Sequence, residues 1–212
     1  MQNAKFKMII QNLKLLSFTL SFCIFSFPLY ASSVQAIQSK YQSISDLQAN
    51  FVQTTYVEVL EKTINDSGIF SMKKPGRLRI EYTGEHPRKY ISNGKKLWVV
   101  DEELRQVETL DMSRKNIPSE ALEFLNGFGD MERLFDVTTM TCRKALPKDH
   151  ICLQLTPNGR NAQHKQLHCE FGPDGILKKM EIYNKSGNVS TYVFSNVKVN
   201  SGLDDALFKI RR

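Results

Sequence analysis

Catalytic motifs are the first thing that this chain of 212 residues lacks. It contains no Gly-x-Ser-x-Gly nucleophile elbow, no phosphate-binding loop and no glycine-rich dinucleotide fingerprint. Histidine is scarce as well, and of its four copies only His164 and His168 lie close together in the chain. The local pattern predicts a strand, on which residues four apart are separated by about 13 Å, so we expect no zinc site. We expect no catalytic residue, no metal and no cofactor.

A membrane-spanning segment is the second absence, because no apolar run reaches the roughly 20 residues that a spanning helix requires. The run from Leu15 to Leu29 carries no charge, follows three lysines and closes near the small residue Ala31. These features predict a secretory signal over residues 1–31, cleaved after Ala31, with Ala36 as the second candidate. An uncleaved membrane anchor is the alternative, and the shortness of the run argues against it.

Strong charge is also missing. Removal of residues 1–31 takes away three lysines and no acidic residue, so the formal net charge falls from +7 to +4. This mild excess is typical of ordinary solubility and also suits approach to an anionic membrane or an acidic partner. No basic run is interleaved with aromatic residues in the manner of RNA-binding surfaces, so we expect no nucleic acid as a partner.

Cysteine is equally sparse, and its placement favours export over lipid attachment. Cys23 lies within the predicted signal and follows Phe22, a bulky residue where a lipidation site requires a small one. An oxidising compartment permits disulfides. Cys142 and Cys152 flank a predicted turn and would face each other across a hairpin, and both the disulfide and the free thiols stay open as alternatives. Cys169 is then the odd thiol, for which we predict burial rather than reactivity.

What the chain does contain is a dense β pattern, strongest over residues 67–100. Leu78, Ile80 and Tyr82 alternate with charged residues, which predicts a strand with one apolar and one solvated face. An Asn-Gly pair at Asn93 predicts a tight hairpin turn, because such a turn requires positive φ angles. Three or four antiparallel strands are therefore predicted within this stretch, and the meander continues through Leu104 and Val107.

The flanking regions extend this pattern. A strand is predicted over residues 49–61, a loop at 65–66, and further strands from 136 to 199. The last of these carries apolar residues on both faces, which predicts that both faces are buried. Helical patterns occur as a stripe at the start of the mature chain, after Pro118, and over residues 131–135. The stripe consists of Val34, Ile37, Tyr41, Ile44 and Leu47.

The order of these motifs resembles the LolA family. The resemblance is carried by Leu47-Gln-Ala-Asn-Phe-Val-Gln53, the Ser-Gly pair at Ser67, the basic-Pro-Gly break at Lys74, the Asn-Gly-Lys turn at Asn93 and the Leu-Trp strand at Leu97. It runs over most of the chain after the predicted signal. It implies a mainly β fold with helices (α+β), an unclosed antiparallel β-barrel of about eleven strands with a helical lid. A single carrier domain over residues 32–212 is expected.

The resemblance also implies a binding site. The predicted acyl-chain cavity is lined by Phe51, Met72, Leu78, Ile80, Tyr82 and Trp98. In the family, a basic residue, normally arginine, precedes the Pro-Gly pair and hydrogen-bonds backbone groups of the lid. Lys74 holds that position here, so we expect it to control the lid, although lysine lacks the planar fork of arginine.

The function implied by the resemblance is that of a soluble periplasmic chaperone, which shields the acyl chains of lipoproteins in a hydrophobic cavity. It carries them from the inner to the outer membrane of Gram-negative bacteria. Expected partners are triacylated lipoproteins as cargo, an inner-membrane ABC transporter of the Lol type and an outer-membrane receptor, and the chain is expected to be monomeric. The alternative is a periplasmic regulator of the same fold that senses lipid or lipoprotein. A small secreted hydrolase is disfavoured, because no nucleophile motif is present.

Overall fold

The computed structural model describes residues 32–84, 86–111, 131–142, 149–158, 162 and 164–210. The predicted signal at residues 1–31 and the helix expected after Pro118 lie outside the described residues. Within this part of the chain, no helix is both long enough and apolar enough to cross a membrane.

The elements follow one another as helices and strands in the order that the sequence pattern predicts. They are α1 (Ser32–Ser43), β1 (Asp46–Val57), β2 (Lys62–Lys73), β3 (Arg77–Tyr82), β4 (Arg88–Asn93), β5 (Lys96–Asp101), β6 (Gln106–Asp111), α2 (Met131–Leu134), β7 (Phe135–Met140), β8 (Ile151–Pro157), β9 (His164–Phe171), β10 (Leu177–Asn184) and β11 (Val189–Val199). Short 3-10 helices occupy Glu58–Leu60 and Asp205–Phe208.

All eleven strands form one antiparallel sheet with the order β6-β5-β4-β3-β2-β1-β11-β10-β9-β8-β7. The first and last strands of this order, β6 and β7, each have a single partner among the described strands, so the sheet is not closed. The central strands β1 and β11 join the two halves of the sheet through a long antiparallel pairing. The predicted mainly β fold, with an unclosed antiparallel arrangement of strands and with helices, is confirmed.

Local sequence accounts for the most regular part of the sheet. In β3, buried and partly exposed residues alternate strictly, as the alternation of apolar and charged residues predicts. The turn between β4 and β5 places Gly94 at a φ of 88°, a conformation that a residue with a Cβ rarely adopts. The predicted Asn-Gly hairpin is therefore confirmed.

Two strand boundaries differ from the prediction. The loop expected at residues 65–66 is wrong, because β2 runs through both residues and pairs with β1 along its whole length. Asn65 lies opposite Thr54, whose hydroxyl donates to the Asn65 Oδ1 at 3.0 Å, so cross-strand pairing outweighs the turn preference of asparagine. The strand expected over 49–61 begins earlier, at Asp46, and gives way to a 3-10 turn after Val57.

The amphipathic stripe predicted for the first helix is too long. Helix α1 ends at Ser43, so Ile44 and Leu47 lie outside it. Both are buried nevertheless, Ile44 in the connection and Leu47 in β1, because the chain turns back onto the same core. A chain that packs on one core produces the same spacing of apolar residues whether or not the helix continues.

One burial prediction is also wrong. In β11, Tyr192 and Phe194 are buried but Val193 is 48% exposed, so only one face of the last strand is covered. Leu104 and Val107 are 62% and 52% exposed, which places both at the surface of the sheet edge. The meander does continue through β6, but as an edge strand whose side chains lie mostly in solvent.

One continuous hydrophobic core lies on one face of the sheet, which we call the inner face, and the opposite face is the outer face. The core joins residues of both halves of the sheet with residues of α1 and α2. Representative members are Ile37, Phe51, Leu78, Met131, Leu155, Phe171 and Tyr192. The inner face is therefore the apolar surface around which any binding site must be built.

Candidate functional site

Five of the six residues predicted to line a cavity lie on the inner face. The register places Phe51 opposite Gly68, Gly68 opposite Tyr82, and Met72 opposite Leu78. Ile80 lies between Leu78 and Tyr82 on the same face of β3. Four of the five are buried and Met72 is partly buried, so the predicted set forms one apolar surface.

Trp98 is the exception. It pairs with Ile91, which in turn pairs with Arg79, and these residues lie on the outer face. The inner-face position in β5 belongs to its neighbour Leu97, which is fully buried in the core. The prediction that Trp98 lines the inner apolar surface is therefore wrong.

Aromatic rings give the inner face its shape. The Phe51 ring meets the Tyr82 ring edge-on at a centroid distance of 5.2 Å and lies 6.0 Å from the ring of Tyr192. Such edge-to-face pairs are favourable beyond their buried area. Gly68 lies beneath Phe51, and a Cβ there would approach the Glu81 carbonyl oxygen to 2.0 Å and the Phe51 ring to 2.8 Å. Only glycine permits this close packing of β2 under the aromatic cluster.

Sequence reasoning missed several aromatic residues of this surface as binding-site candidates. Phe70 pairs with Ile80 and its ring lies 6.3 Å from that of Phe194, while Tyr192 and Phe194 stack at 6.4 Å. The alternation of these residues with their neighbours in β2 and β11 predicts the two strands. It does not identify which face of each strand turns inward.

Helix α1 covers part of the inner face. Ile37 and Tyr41 are buried in the core, and the Tyr41 ring contacts that of Phe171 edge-on at 6.2 Å. The backbone N–H of Leu177 in β10 donates to the Tyr41 hydroxyl at 3.0 Å. Burial raises the pKa of Tyr41 far above its ordinary value, so the hydroxyl stays protonated. The helix is thus held to the sheet by one buried aromatic residue that also makes a polar contact.

Lys74 ties the end of the same helix to the sheet. Its Nζ donates to the carbonyl oxygens of Tyr41 at 2.7 Å and Gln42 at 2.9 Å. Carbonyls in the last turn of a helix lack intrahelical partners and attract cations. Burial lowers the pKa of Lys74. A cation before the Pro-Gly pair therefore contacts backbone groups of α1.

A second tie joins α1 to α2. The side-chain amides of Gln35 and Gln38 both donate to the Glu132 carboxylate, at 3.1 and 2.9 Å. All three groups are exposed, so each contact contributes little to stability by itself. The strongest hold on α1 is therefore at its C-terminal end, around Tyr41 and Lys74.

Among the described cysteines and histidines, Cys169 belongs to the hydrophobic core, and His164 is also buried. Cys142 and Cys152 form a disulfide, and Cys169 is a buried thiol outside that disulfide. His164 lies 2.8 Å from the Asn184 side chain, and His168 lies 3.8 Å from a Glu181 oxygen, so the two histidines have separate partners. Among the described residues, no group of three or more potential ligands is placed to hold a metal ion.

Comparison with known proteins gives a consistent family assignment. Residues 42–211 match the family described as outer membrane lipoprotein carrier protein LolA. An outer-membrane lipoprotein carrier protein of Nitrosospira multiformis is 26% identical over 194 residues, covering 89% of this chain and 91% of the relative. The carrier protein of Dechloromonas aromatica is 28% identical over 199 residues, covering 92% and 91%.

A solved structure shares the fold at low sequence identity. A DUF1329-family protein from Desulfovibrio piger superposes with a TM-score of 0.51 at 14% identity, over 84% of this chain and 94% of that chain. A LolA superfamily protein from Nitrosomonas europaea has a TM-score of 0.46 at 17% identity, over 84% and 97%. The family match spans most of the chain and includes the strands and the helix end described above. This chain belongs to the LolA family.

Proposed function

We propose that this chain is a periplasmic chaperone that takes up the acyl chains of lipoproteins on its inner face and carries them from the inner to the outer membrane. The observation that supports the proposal best is the continuous apolar inner face held under α1 by Tyr41 and Lys74. The relatives of similar length are named as outer-membrane lipoprotein carriers, which agrees with this role.

The energetics of the cargo explain why such a surface is needed. Each buried methylene contributes about 0.8 kcal/mol, so a chain of roughly sixteen carbons favours burial by on the order of 10 kcal/mol. A lipoprotein with several chains does not leave a membrane for water unless an apolar surface accepts them. The inner face offers that surface without any chemical step, so the proposed role includes no catalysis.

Uptake and release of cargo require that α1, which covers part of the inner face, moves. The described inner-face residues are largely buried against one another and against α1, so cargo displaces existing contacts when it enters. Polar contacts hold α1 at its C-terminal end, around Tyr41 and Lys74, and at Gln35 and Gln38, which contact Glu132 of α2. A helix held in this way is suited to lift from the sheet as a lid and to return when the cargo leaves.

The proposed cellular setting follows from the same role. Residues 1–31 serve as a cleaved secretory signal, and residues 32–212 act as a single, monomeric carrier domain. Triacylated lipoproteins are the cargo, an inner-membrane ABC transporter of the Lol type loads them, and an outer-membrane receptor accepts them.

The test is uptake of lipoprotein from membranes, measured by native mass spectrometry. The purified protein is incubated with inner-membrane vesicles that contain a triacylated lipoprotein and the transporter, with ATP, and the soluble fraction is analysed. We expect a one-to-one complex with the wild-type protein. Ile80→Glu places a carboxylate on the inner face and is expected to abolish the complex, because an unpaired charge opposes acyl burial.

The control is Val52→Glu, which puts the same charge on the outer face, where Val52 is 54% exposed. This variant is expected to take up lipoprotein as the wild type does. A wild-type protein that stays empty beside an active transporter contradicts the carrier role and leaves the regulator alternative. Circular dichroism establishes that both variants are folded before uptake is compared.

A further inference from the structure

The inner face changes from apolar to polar along its two central strands. Successive cross-strand pairs of β1 and β11 are Phe51 with Phe194, Gln53 with Tyr192, and Thr55 with Ser190. Gln53 is 7% exposed and Ser190 is 4% exposed, so the polar groups belong to the interior. We call Gln53, Thr55 and Ser190 the polar layer. It lies directly beside the aromatic cluster.

The polar layer has hydrogen-bonding groups that its own contacts do not use. The Gln53 Nε2 donates to the Thr55 Oγ1 at 2.8 Å, and the Thr55 and Ser190 hydroxyls are 3.0 Å apart. The Gln53 Oε1 is buried and accepts no hydrogen bond from any residue that the structure describes. Between the two hydroxyls only one hydrogen is used, so one remains to be donated. The layer therefore presents one acceptor and one donor to the interior.

A purely structural role does not account for this arrangement. A buried carbonyl oxygen without a donor is destabilising, and an apolar side chain of similar size avoids the penalty. The remainder of the inner face of β1, at Leu47, Ala49 and Phe51, follows that rule. The glutamine at the next inner position is better explained by a ligand that supplies the missing donor.

We propose that the polar layer binds the secondary amide of an N-acylated amino terminus, the group that joins one acyl chain of a triacylated lipoprotein to its first residue. This inference rests on the proposed carrier function. A secondary amide carries one N–H donor and one carbonyl acceptor, which matches the Gln53 Oε1 and the spare hydroxyl hydrogen. An ester supplies only acceptors and leaves the Gln53 Oε1 unpaired.

The arrangement along the strands suits the same ligand. The acyl chain extends from the amide over Phe51 and Phe194 towards the apolar part of the inner face, while the polar peptide continues in the opposite direction. Gln53 is reached when the inner face opens, as uptake of cargo requires. The polar layer then fixes how deeply the acyl chains enter, because an amide placed further in would lose both hydrogen bonds.

The experiment uses two synthetic triacylated lipopeptides that differ in one atom pair. One has the natural N-terminal amide, and the other has an ester oxygen in place of its N–H. Binding to the mature protein is measured by displacement of a fluorescent naphthylamine. We expect the wild type to bind the amide about tenfold more tightly than the ester, as one hydrogen bond to a buried acceptor requires.

Two variants locate the effect. Gln53→Leu is expected to bind both lipopeptides equally, because it removes the acceptor that distinguishes them. Gln48→Leu is the matched control, since Gln48 lies in the same strand on the outer face and donates to Ser71 at 3.1 Å. It is expected to retain the full preference for the amide.

The outcomes separate this inference from the carrier function. Equal binding of both lipopeptides by the wild type overturns the amide site and leaves the carrier role in place. A preference that persists in a folded Gln53→Leu protein overturns the site as well. Binding of neither lipopeptide by the wild type overturns both, because then no acyl chain is held at all.

Discussion

Lys74 illustrates how much one side chain decides at the residue scale. It lies next to Lys73, yet the two lysines hold different parts of the molecule. Lys73 binds the Leu203 carbonyl and the Asp205 carboxylate, both at 2.6 Å, whereas Lys74 binds the end of α1. Lys73 is the last residue of β2 and Lys74 is the first residue of the turn that follows, so the two adjacent side chains contact different parts of the molecule.

Substitution of Lys74 tests whether it restrains the lid. Lys74→Met keeps most of the apolar stem but removes the donors to the α1 carbonyls. Hydrogen bonds from a charged donor contribute about 1.5–3 kcal/mol, so the amides of α1 should exchange at least about tenfold faster. Hydrogen-exchange mass spectrometry measures this directly.

The neighbouring lysine is the matched control. Lys73→Met should leave exchange in α1 unchanged and instead loosen residues 201–210. Lys74→Arg, which restores donors, should exchange like the wild type. Equal protection of α1 in the wild type and in Lys74→Met would mean that packing of Ile37 and Tyr41 alone holds the helix.

At the scale of elements, β7 is a weakly supported strand. Among the described strands it pairs with β8 alone, and its side chains are at most partly buried. The disulfide between Cys142 and Cys152 lies just beyond its end and joins it to β8. An edge strand with little burial depends on such a constraint more than a central strand does.

Removal of the disulfide should therefore act locally and measurably. For the ten-residue separation of Cys142 and Cys152, loop-closure entropy predicts a loss of about 2–3 kcal/mol in the free energy of unfolding. The double variant Cys142→Ser/Cys152→Ser, unfolded in urea, gives this value. Hydrogen exchange should increase in β7 and stay unchanged in β1 and β11, and a uniform increase would contradict a local role.

At the scale of the whole molecule, hydrogen bonds to Asp46 bring together two segments that are distant in the sequence. This buried carboxylate accepts the N–H groups of Ser201 and Gly202, at 2.8 and 3.1 Å, and the Ser201 hydroxyl at 3.1 Å. Burial acts to raise the pKa of Asp46, but these hydrogen bonds outweigh it and hold the pKa below its ordinary value of 3.8. The Asp46 carboxylate thus links the start of β1 to the segment after β11.

The pH dependence of stability follows from the direction of this shift. Because the folded-state pKa lies below the unfolded value, the stabilisation is complete above that value and is lost as the pH falls through the folded pKa. Asp46→Asn should be less stable than the wild type at neutral pH, and the difference should shrink below about pH 3.8. Urea unfolding across this range checks it, with the exposed Asp136→Asn as a control that should follow the wild type. A constant difference at all pH values would exclude the charge as the cause.

The sequence predicted the fold well where each signal was local. Strict alternation in β3 and the Asn-Gly turn at Asn93 each identify a structure by themselves, because the pleat and the positive φ are properties of a few consecutive residues. The same reasoning failed in β5, where Leu97, Trp98 and the two valines are all apolar. Without alternation, nothing in that strand indicates which face turns inward, and the register with Ile91 decides it.

The candidate site, like the fold, was predictable from the sequence only in part. The sequence by itself determined which residues are apolar, where strands and turns fall, and that a cation precedes the Pro-Gly pair. Only the tertiary structure decided that this cation meets carbonyls of residues 41 and 42, that Gln53 sits beside Tyr192 on the inner face, and that Trp98 lies outside. The physical reason is that periodicity is a local property, whereas burial and cross-strand register depend on residues that are distant in the chain and become neighbours only when the sheet forms.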